Sequence, residues 1–225
     1  MSRWDAVLLD VGGVFVVPSP TVLRPVLGVD ADDEAFVRAH YAAVAALDAF
    51  GHDGWLAYYA TYAAQVGVPV SRLRSVLPAM RVAFRADARV TWSHIRPDSV
   101  EGLKTLAATE ISVAIVSNSD GTVEELLRET GICQVGDGDG TCVAVVIDSH
   151  VVGVAKPDPS IFRHALDVLG VEPDRCLYLG DTVCADVAGA RAAGLHPVHL
   201  DPYDFCGADD HDHVRSVGEV ASLLR

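Results

Sequence analysis

The residues best suited to chemistry stand where short apolar runs stop. Asp10 ends the run from Ala6 to Leu9, with Gly12 and Gly13 just beyond it. Ser117 and Asn118 follow Ala114-Ile115-Val116, and Lys156 follows the stretch from Val151 to Ala155. Asp181 ends Leu177-Tyr178-Leu179-Gly180, and Asp186 lies five residues further on. Each has a plainer reading by itself: a turn at Ser117 and Asn118, a solvated lysine, a helix cap at Asp181. Aspartate is seldom buried without a partner, however, and in open parallel sheets ligands gather beyond the carboxyl ends of the strands. Asp10, Asp181 and Asp186 brought together would repel, so a proton or a cation must offset them. Mg²⁺, a hard cation, suits a few carboxylates, a backbone oxygen and water. With Lys156 it would balance three carboxylates and leave a site able to accept a phosphate dianion. Ser117 can donate a hydrogen bond to a phosphate oxygen. Backbone N–H groups beside Gly12, Gly13 and Asn118 could form an anion-binding nest.

The elements that must position these residues alternate. Ala6 to Leu9 is short and apolar enough for a fully buried strand. Beyond Val17, Pro18 and Pro20 break the chain, and from about Asp32 to Arg89 the pattern is helical, with Asp53 and Ser71 as N-caps. No strand is expected there. From Pro97 helices and strands take turns. Asp98 and Glu101 have capping-box spacing before a helix reaching about Ala108, and Thr122 and Glu125 repeat it before a helix closed by Gly131. Strands are expected at Ile111 to Val116, Val143 to Ile147, Cys176 to Leu179 and Pro197 to Leu200. Asp158-Pro159 opens a helix ended by Gly170, Val183 to Ala193 is a helix closed by Gly194, and Val214 to Leu224 reads as a terminal helix. Strands alternating with helices of this length predict an α/β protein with a doubly wound parallel sheet.

Composition narrows the function classes. Seventeen Lys and Arg against 31 Asp and Glu give a net charge of −14 over 225 residues, with no basic cluster. That excludes nucleic acid, whose binding needs basic patches, and anionic membrane surfaces as expected partners. The lysines are Lys104 and Lys156, so an anion site must draw on a metal, a helix N-terminus or one lysine. Five cysteines without CxxC spacing predict reduced thiols rather than disulfides or a zinc site. The first residues are interrupted by Asp10 and two glycines, unlike a signal peptide, and no stretch has the length of a membrane span. A cytoplasmic protein is the expectation.

Asp10, Ser117-Asn118, Lys156-Pro157-Asp158-Pro159 and Gly180-Asp181 with Asp186, in that order, resemble the four motifs of the haloacid dehalogenase superfamily. The resemblance covers essentially the whole chain and is closest to members with a helical cap inserted after the first motif. It implies a Rossmann-like core at residues 1–17 and 92–225 and an all-helical cap at 18–91. It also implies Mg²⁺-dependent hydrolysis of a small phosphorylated metabolite through an aspartyl-phosphate. On that pattern Asp10 is the nucleophile, and Lys156 and Ser117 hold the phosphoryl group. Asp181 and Asp186 anchor the metal directly or through water, with the Gly12 carbonyl as a further ligand. Gly13 and Asn118 complete the phosphate cradle. Family phosphatases usually carry a second aspartate, a general acid and base, two residues after the nucleophile, and here that position is Gly12. A non-catalytic phosphate-binding member is therefore an alternative. Dehalogenases of the family also lack that aspartate, but lack the metal-type Gly-Asp seen at Gly180-Asp181, so they rank lower.

Three other groupings have ordinary readings. Trp55, Tyr58, Tyr59 and Tyr62 share one helix face and are expected to pack as cap core, the sharper reading being a substrate wall. The segment from Val135 to Thr141 fails the EF-hand pattern and reads as a surface loop. His196 and His199, with Asp209 to His213, show no evident four-ligand set. They read as solvated surface with at most adventitious nickel or zinc binding. Cys184 lacks an evident histidine partner for a catalytic thiol. Cap histidines His40 and His52 are the reserve proton donors.

Overall fold

A computed structural model describes residues 3–51 and 54–224. His52 and the expected cap Asp53 lie outside the described residues. The chain forms two compact units, one of Met1–Phe15, Arg96–Pro202 and Ala208–Arg225, the other of Val16–Ile95 with Tyr203–Gly207.

In chain order the elements are β1 (Ala6–Leu9), β2 (Val16–Val17), α1 (Pro20–Leu27), α2 (Asp33–Phe50), α3 (Trp55–Gln65), α4 (Val70–Phe84), α5 (Ala88–Thr91) and β3 (His94–Ile95). Then come α6 (Pro97–Ala107), β4 (Ser112–Ser117), α7 (Val123–Glu129), β5 (Cys133–Val135), β6 (Thr141–Val143), β7 (Val146–Asp148), α8 (Ser149–Val152) and α9 (Ser160–Leu169). The chain closes with β8 (Cys176–Gly180), α10 (Ala188–Ala192), β9 (His196–Leu200), β10 (Asp212–Val214) and α11 (Val220–Leu223).

The first unit is the α/β sheet. Six parallel strands lie in the order β10-β9-β8-β1-β4-β7. All four residues of β1 are buried, as a central parallel strand covered on both faces requires. Leu8 packs with Ala114, Val116 and Tyr178 and with Ile161, Phe162 and Ala165 of α9. The chain steps from β1 outward to β4 and β7, then returns to β8 on the other side of β1. The strand order thus reverses at β1, which places the ligand crevice beyond its carboxyl end, where Asp10 stands.

The second unit is helical, closed at its ends by an antiparallel ribbon of β2 and β3. This ribbon was not expected from the sequence, because two-residue strands carry no periodicity; α1 was not expected either, because Pro20, read as a break, stands at its first position. Tyr58, Tyr59 and Tyr62 are buried in its core with Phe36 and Met80, whereas Trp55 stays 44% exposed. The Tyr58 hydroxyl lies 2.8 Å from His40 Nδ1; the Tyr62 hydroxyl is buried with no partner among the described residues. An unpaired buried hydroxyl costs about 1–3 kcal/mol. Tyr62→Phe should therefore leave stability unchanged or raise it, while Tyr58→Phe should lose about 1 kcal/mol. Urea denaturation of both variants tests this, and a clear loss in Tyr62→Phe would mean that its hydroxyl is satisfied.

Several helix starts differ from expectation. α4 begins at Val70 with Pro69 as its cap, so Ser71 is not the cap. Pro97 occupies the first position of α6, Arg96 is the cap, and Asp98 pairs with the Arg96 guanidinium at 2.9 Å instead of capping. Thr122 caps α7 without a side-chain bond, because its hydroxyl donates to Asp120. Asp148, from β7, accepts from the Gly121 and Val123 N–H groups instead. α9 starts at Ser160, with Asp158 accepting from the Ser160 N–H. The stretch Val143 to Ile147 is split between β6 and β7. The stretch Asp209 to His213, read as solvated surface, contains the start of β10, and the terminal helix is reduced to a short turn and α11. Residues 136–140 form the expected loop between β5 and β6.

Candidate active site

The carboxyl ends of the central strands bring together four of the residues singled out above. The Asp10 N–H bonds the Leu179 carbonyl at 2.9 Å, which fixes the end of β1 against β8. Lys156 Nζ then bridges Asp10 Oδ2 at 2.9 Å and Asp186 Oδ1 at 2.6 Å. Carboxylate oxygens of Asp10, Asp181 and Asp186 lie within 4.8 Å of one another, and all three residues are buried. Asp186 is reached through a π-helical turn, Val183–Val187, where Thr182 donates from its hydroxyl and its N–H to Asp186 Oδ2. Such a turn is a frequent feature of functional sites.

Close approach here depends on Gly13. Its φ is +71°, and a Cβ on it would stand 1.9 Å from Asp181 Oδ2, so no other residue fits without moving that carboxylate. Gly12 follows directly from Asp10-Val11 and is half-buried. Ser117 is buried at the end of β4, beside β1. Asn118 uses its side chain on the Lys156 backbone: Nδ2 donates to the carbonyl at 3.0 Å and Oδ1 accepts from the N–H at 2.8 Å. That clamp fixes the Lys156 backbone against Asn118.

Tyr178 is the member that sequence reasoning missed. Its hydroxyl accepts from Lys156 Nζ at 2.7 Å and donates to Asp186 Oδ1 at 2.8 Å. A tyrosine inside an apolar strand is the signal that was available, because its hydroxyl needs a partner when buried.

Electrostatics make the cluster anion-heavy. Burial drives the Asp10 carboxyl up to about 7, with Asp186 and Asp181 adding to the rise and Lys156 opposing it. Burial also works to raise Asp186, but Lys156, Thr182 and Tyr178 outweigh it and hold this carboxyl below its usual value. Burial opposes the charge on Lys156, yet Asp10 and Asp186 keep the ammonium more firmly protonated than usual. Among the described residues the cluster therefore sets three carboxylates against one ammonium. Asp10 Oδ1 is buried without a hydrogen-bond partner. An all-oxygen donor set with surplus negative charge and an orphaned carboxylate oxygen fits a hard divalent cation.

Removing the ammonium should expose this imbalance. Breaking a buried ion pair on one side costs about 3–5 kcal/mol, and Lys156→Met should lose that much in metal-free buffer at neutral pH. Without Lys156, the Asp10 carboxyl in the folded state rises further above its unfolded value, and Asp186 loses the main charge that holds its carboxyl low against burial. A raised carboxyl favours the folded state only while protonated, so the deficit should be small in acid and widen towards neutral pH. Urea titrations at about pH 5 and about pH 8 measure it. Equal deficits at both would show that Lys156 matters for packing alone.

Known proteins carry the same arrangement of chain. A family model described as a haloacid dehalogenase-like hydrolase matches residues 4–194. The haloacid dehalogenase-like hydrolase domain-containing protein 3 of Mus musculus is 36% identical over 94 residues, which cover 42% of this chain and 35% of that protein. The phosphoserine phosphatase of Thermus thermophilus is 38% identical over 91 residues, covering 40% and 34%. The matched stretch thus spans about a third of the length of these curated relatives. The crystal structure of a HAD phosphatase from Thermococcus onnurineus superposes with a TM-score of 0.61 at 22% identity, covering 98% of this chain and 97% of the other, and so shares the fold. With the matching model extending over most of its length, from the strand before Asp10 past Asp186, this chain belongs to the haloacid dehalogenase-like hydrolase family.

Proposed function

We propose that the chain hydrolyses small phosphorylated metabolites in a Mg²⁺-dependent reaction, through a phosphoryl group carried transiently on Asp10. The observation that carries this reading is the buried trio Asp10, Asp181 and Asp186 around Lys156, with Asp10 Oδ1 unpartnered. Relatives named as phosphatases point the same way. Asp10, Asp181, Asp186 and the Gly12 carbonyl would hold the ion. When bound it would offset the carboxylates and draw charge from a phosphoryl oxygen.

The remaining chemistry belongs to the chain. The Asp10 carboxylate attacks phosphorus, the bond from phosphorus to the ester oxygen breaks, and an acyl phosphate forms on Asp10; water then releases phosphate and restores the carboxylate. Lys156 opposes protonation of Asp10 and neutralises charge on the phosphoryl oxygens. The Ser117 hydroxyl and the backbone N–H groups beside Gly13 and Asn118 donate to those oxygens. Tyr178 and Thr182 hold Asp186 on the lysine and act as positioning residues.

Gly12 favours a second reading, in which the chain binds a phosphorylated ligand without turning it over, since it offers no side chain to protonate the leaving group. Dehalogenation is a weaker third, because three clustered carboxylates call for a cation that halide displacement does not use. Purified protein assayed against a panel of phosphorylated metabolites, with Mg²⁺ and with a chelator, separates them. Metal-dependent phosphate release is expected. Binding without release supports the second reading, and metal-independent halide release from haloacids the third; either result overturns the proposal.

A further inference from the structure

His199 and the side chain of His211 are buried rather than the solvated surface expected of them, while His213 is exposed as expected. β9 and β10 pair in parallel with His213 opposite His199. Alternate residues share a face, so His211, two positions before His213, lies on the same side. His196 is three positions from His199, falls on the opposite face and pairs there with Asp212 at 2.7 Å. The rings of His199, His211 and His213 have centroids 5.3, 5.2 and 4.5 Å apart in pairs. One nitrogen from each lies within 4.8 Å of the others.

Hydrogen bonds settle which nitrogens face inward. His199 Nε2 lies 2.9 Å from the Asp181 carbonyl, which can only accept, so that nitrogen carries the hydrogen. His211 Nδ1 lies 2.7 Å from Asp210 Oδ1 and donates in the same way. The other two nitrogens, His199 Nδ1 and His211 Nε2, then point their lone pairs at each other across 3.3 Å. Two lone pairs at that distance need an added proton or a cation. Zinc–nitrogen bonds of about 2.0–2.1 Å at a tetrahedral angle set neighbouring ligand nitrogens about 3.3–3.4 Å apart. A carboxylate behind one imidazole and a backbone carbonyl behind another are the supports that ligating histidines commonly have. The His211 side chain is fully buried and His199 nearly so, while His213 is exposed and leaves the site open to solvent.

We propose that His199, His211 and His213 form a second metal site, for a divalent transition ion of the zinc class, distinct in chemistry from the carboxylate cluster. Imidazole nitrogens select such ions, whereas the all-oxygen cluster at Asp10 suits Mg²⁺. The site joins β9 to β10, a three-residue strand at the edge of the sheet. Bound metal would therefore pin an edge strand of the sheet and stabilise the fold by mass action.

The test uses the full chain without an affinity tag, stripped with chelator and kept in excess Mg²⁺. Native mass spectrometry and calorimetric titration with Zn²⁺ should give one tightly bound ion per chain and a raised melting temperature. His213→Asn, at an exposed position, and His211→Gln should each abolish the tight site. Asp210→Asn, which leaves all three rings in place, should weaken it by about 10–100-fold. His196→Asn and Asp10→Asn should leave it unchanged. Circular dichroism checks that each variant is folded, and the Asp210 variant keeps the test sound should a histidine variant misfold. Zn²⁺ binding that is absent, unaffected by the histidine and Asp210 changes, or lost in Asp10→Asn would overturn the proposal.

Discussion

Asp10→Asn should abolish turnover and leave the fold intact. The loss should be about 10⁴-fold or more, the scale seen when a nucleophile is removed from a cooperating set. The amide is nearly isosteric, so Lys156 keeps an oxygen to donate to, but it cannot attack phosphorus. Stability separates this outcome from simple damage. The Asp10 carboxyl is driven up to about 7, chiefly by burial, and a raised carboxyl costs stability once the pH exceeds its unfolded value. Removing it should leave the metal-free protein as stable as wild type, or more so, at neutral pH. The gain in melting temperature on adding Mg²⁺ should meanwhile shrink or vanish. Steady-state assays and thermal melts with and without Mg²⁺ make the comparison. Near-wild-type turnover with a native circular dichroism spectrum would remove Asp10 from the role of nucleophile.

The second large effect should come from what position 12 lacks. General acid–base catalysis contributes typically about 10²–10⁴-fold, and Gly12 supplies no group for it. The departing oxygen must then carry its own negative charge in the transition state. Acyl phosphates and p-nitrophenyl phosphate should react faster than alkyl phosphates by a factor of that order, with sugar 1-phosphates between. Hydrolysis of the phosphoryl-Asp10 should slow as well, giving a burst or a trappable phosphoenzyme. Gly12→Asp should flatten the dependence if its side chain reaches the ester oxygen. Single-turnover rates for aryl phosphates, plotted against leaving-group pKa, measure the slope. A slope near zero with chemistry rate-limiting would show that another residue donates the proton. His40 would be one candidate to test, although its ring is buried in the helical unit, with Nδ1 on the Tyr58 hydroxyl. His52, the other, lies outside the described residues.

The α/β fold and the positions of the polar strand ends were legible in the sequence for one physical reason. Central parallel strands are buried on both faces, so β1, β4 and β8 appear as unbroken apolar runs, and the polar residue ending each run marks the rim of the sheet. Asp10, Ser117 and Asp181 could be placed there without knowing which strand neighbours which. The order of the motifs along the chain also sufficed for the family, since it survives any uncertainty in register.

What lies between distant segments was decided by tertiary structure. Tyr178 reads as one more apolar residue of its strand until packing sets its hydroxyl between Lys156 and Asp186. Asp148 takes over the cap of α7 from Thr122 only because β7 lies beside β4. Asn118 became a clamp on the Lys156 backbone through a contact across 38 residues. The histidines show it most plainly. His196 and His199 stand close in the sequence, but a strand turns residues three apart to opposite faces. The pairing of β9 with β10 then matched His199 to His213. Periodicity records which face of its own element a residue occupies. It carries no information on the register between elements, and at this sheet edge register chose the partners.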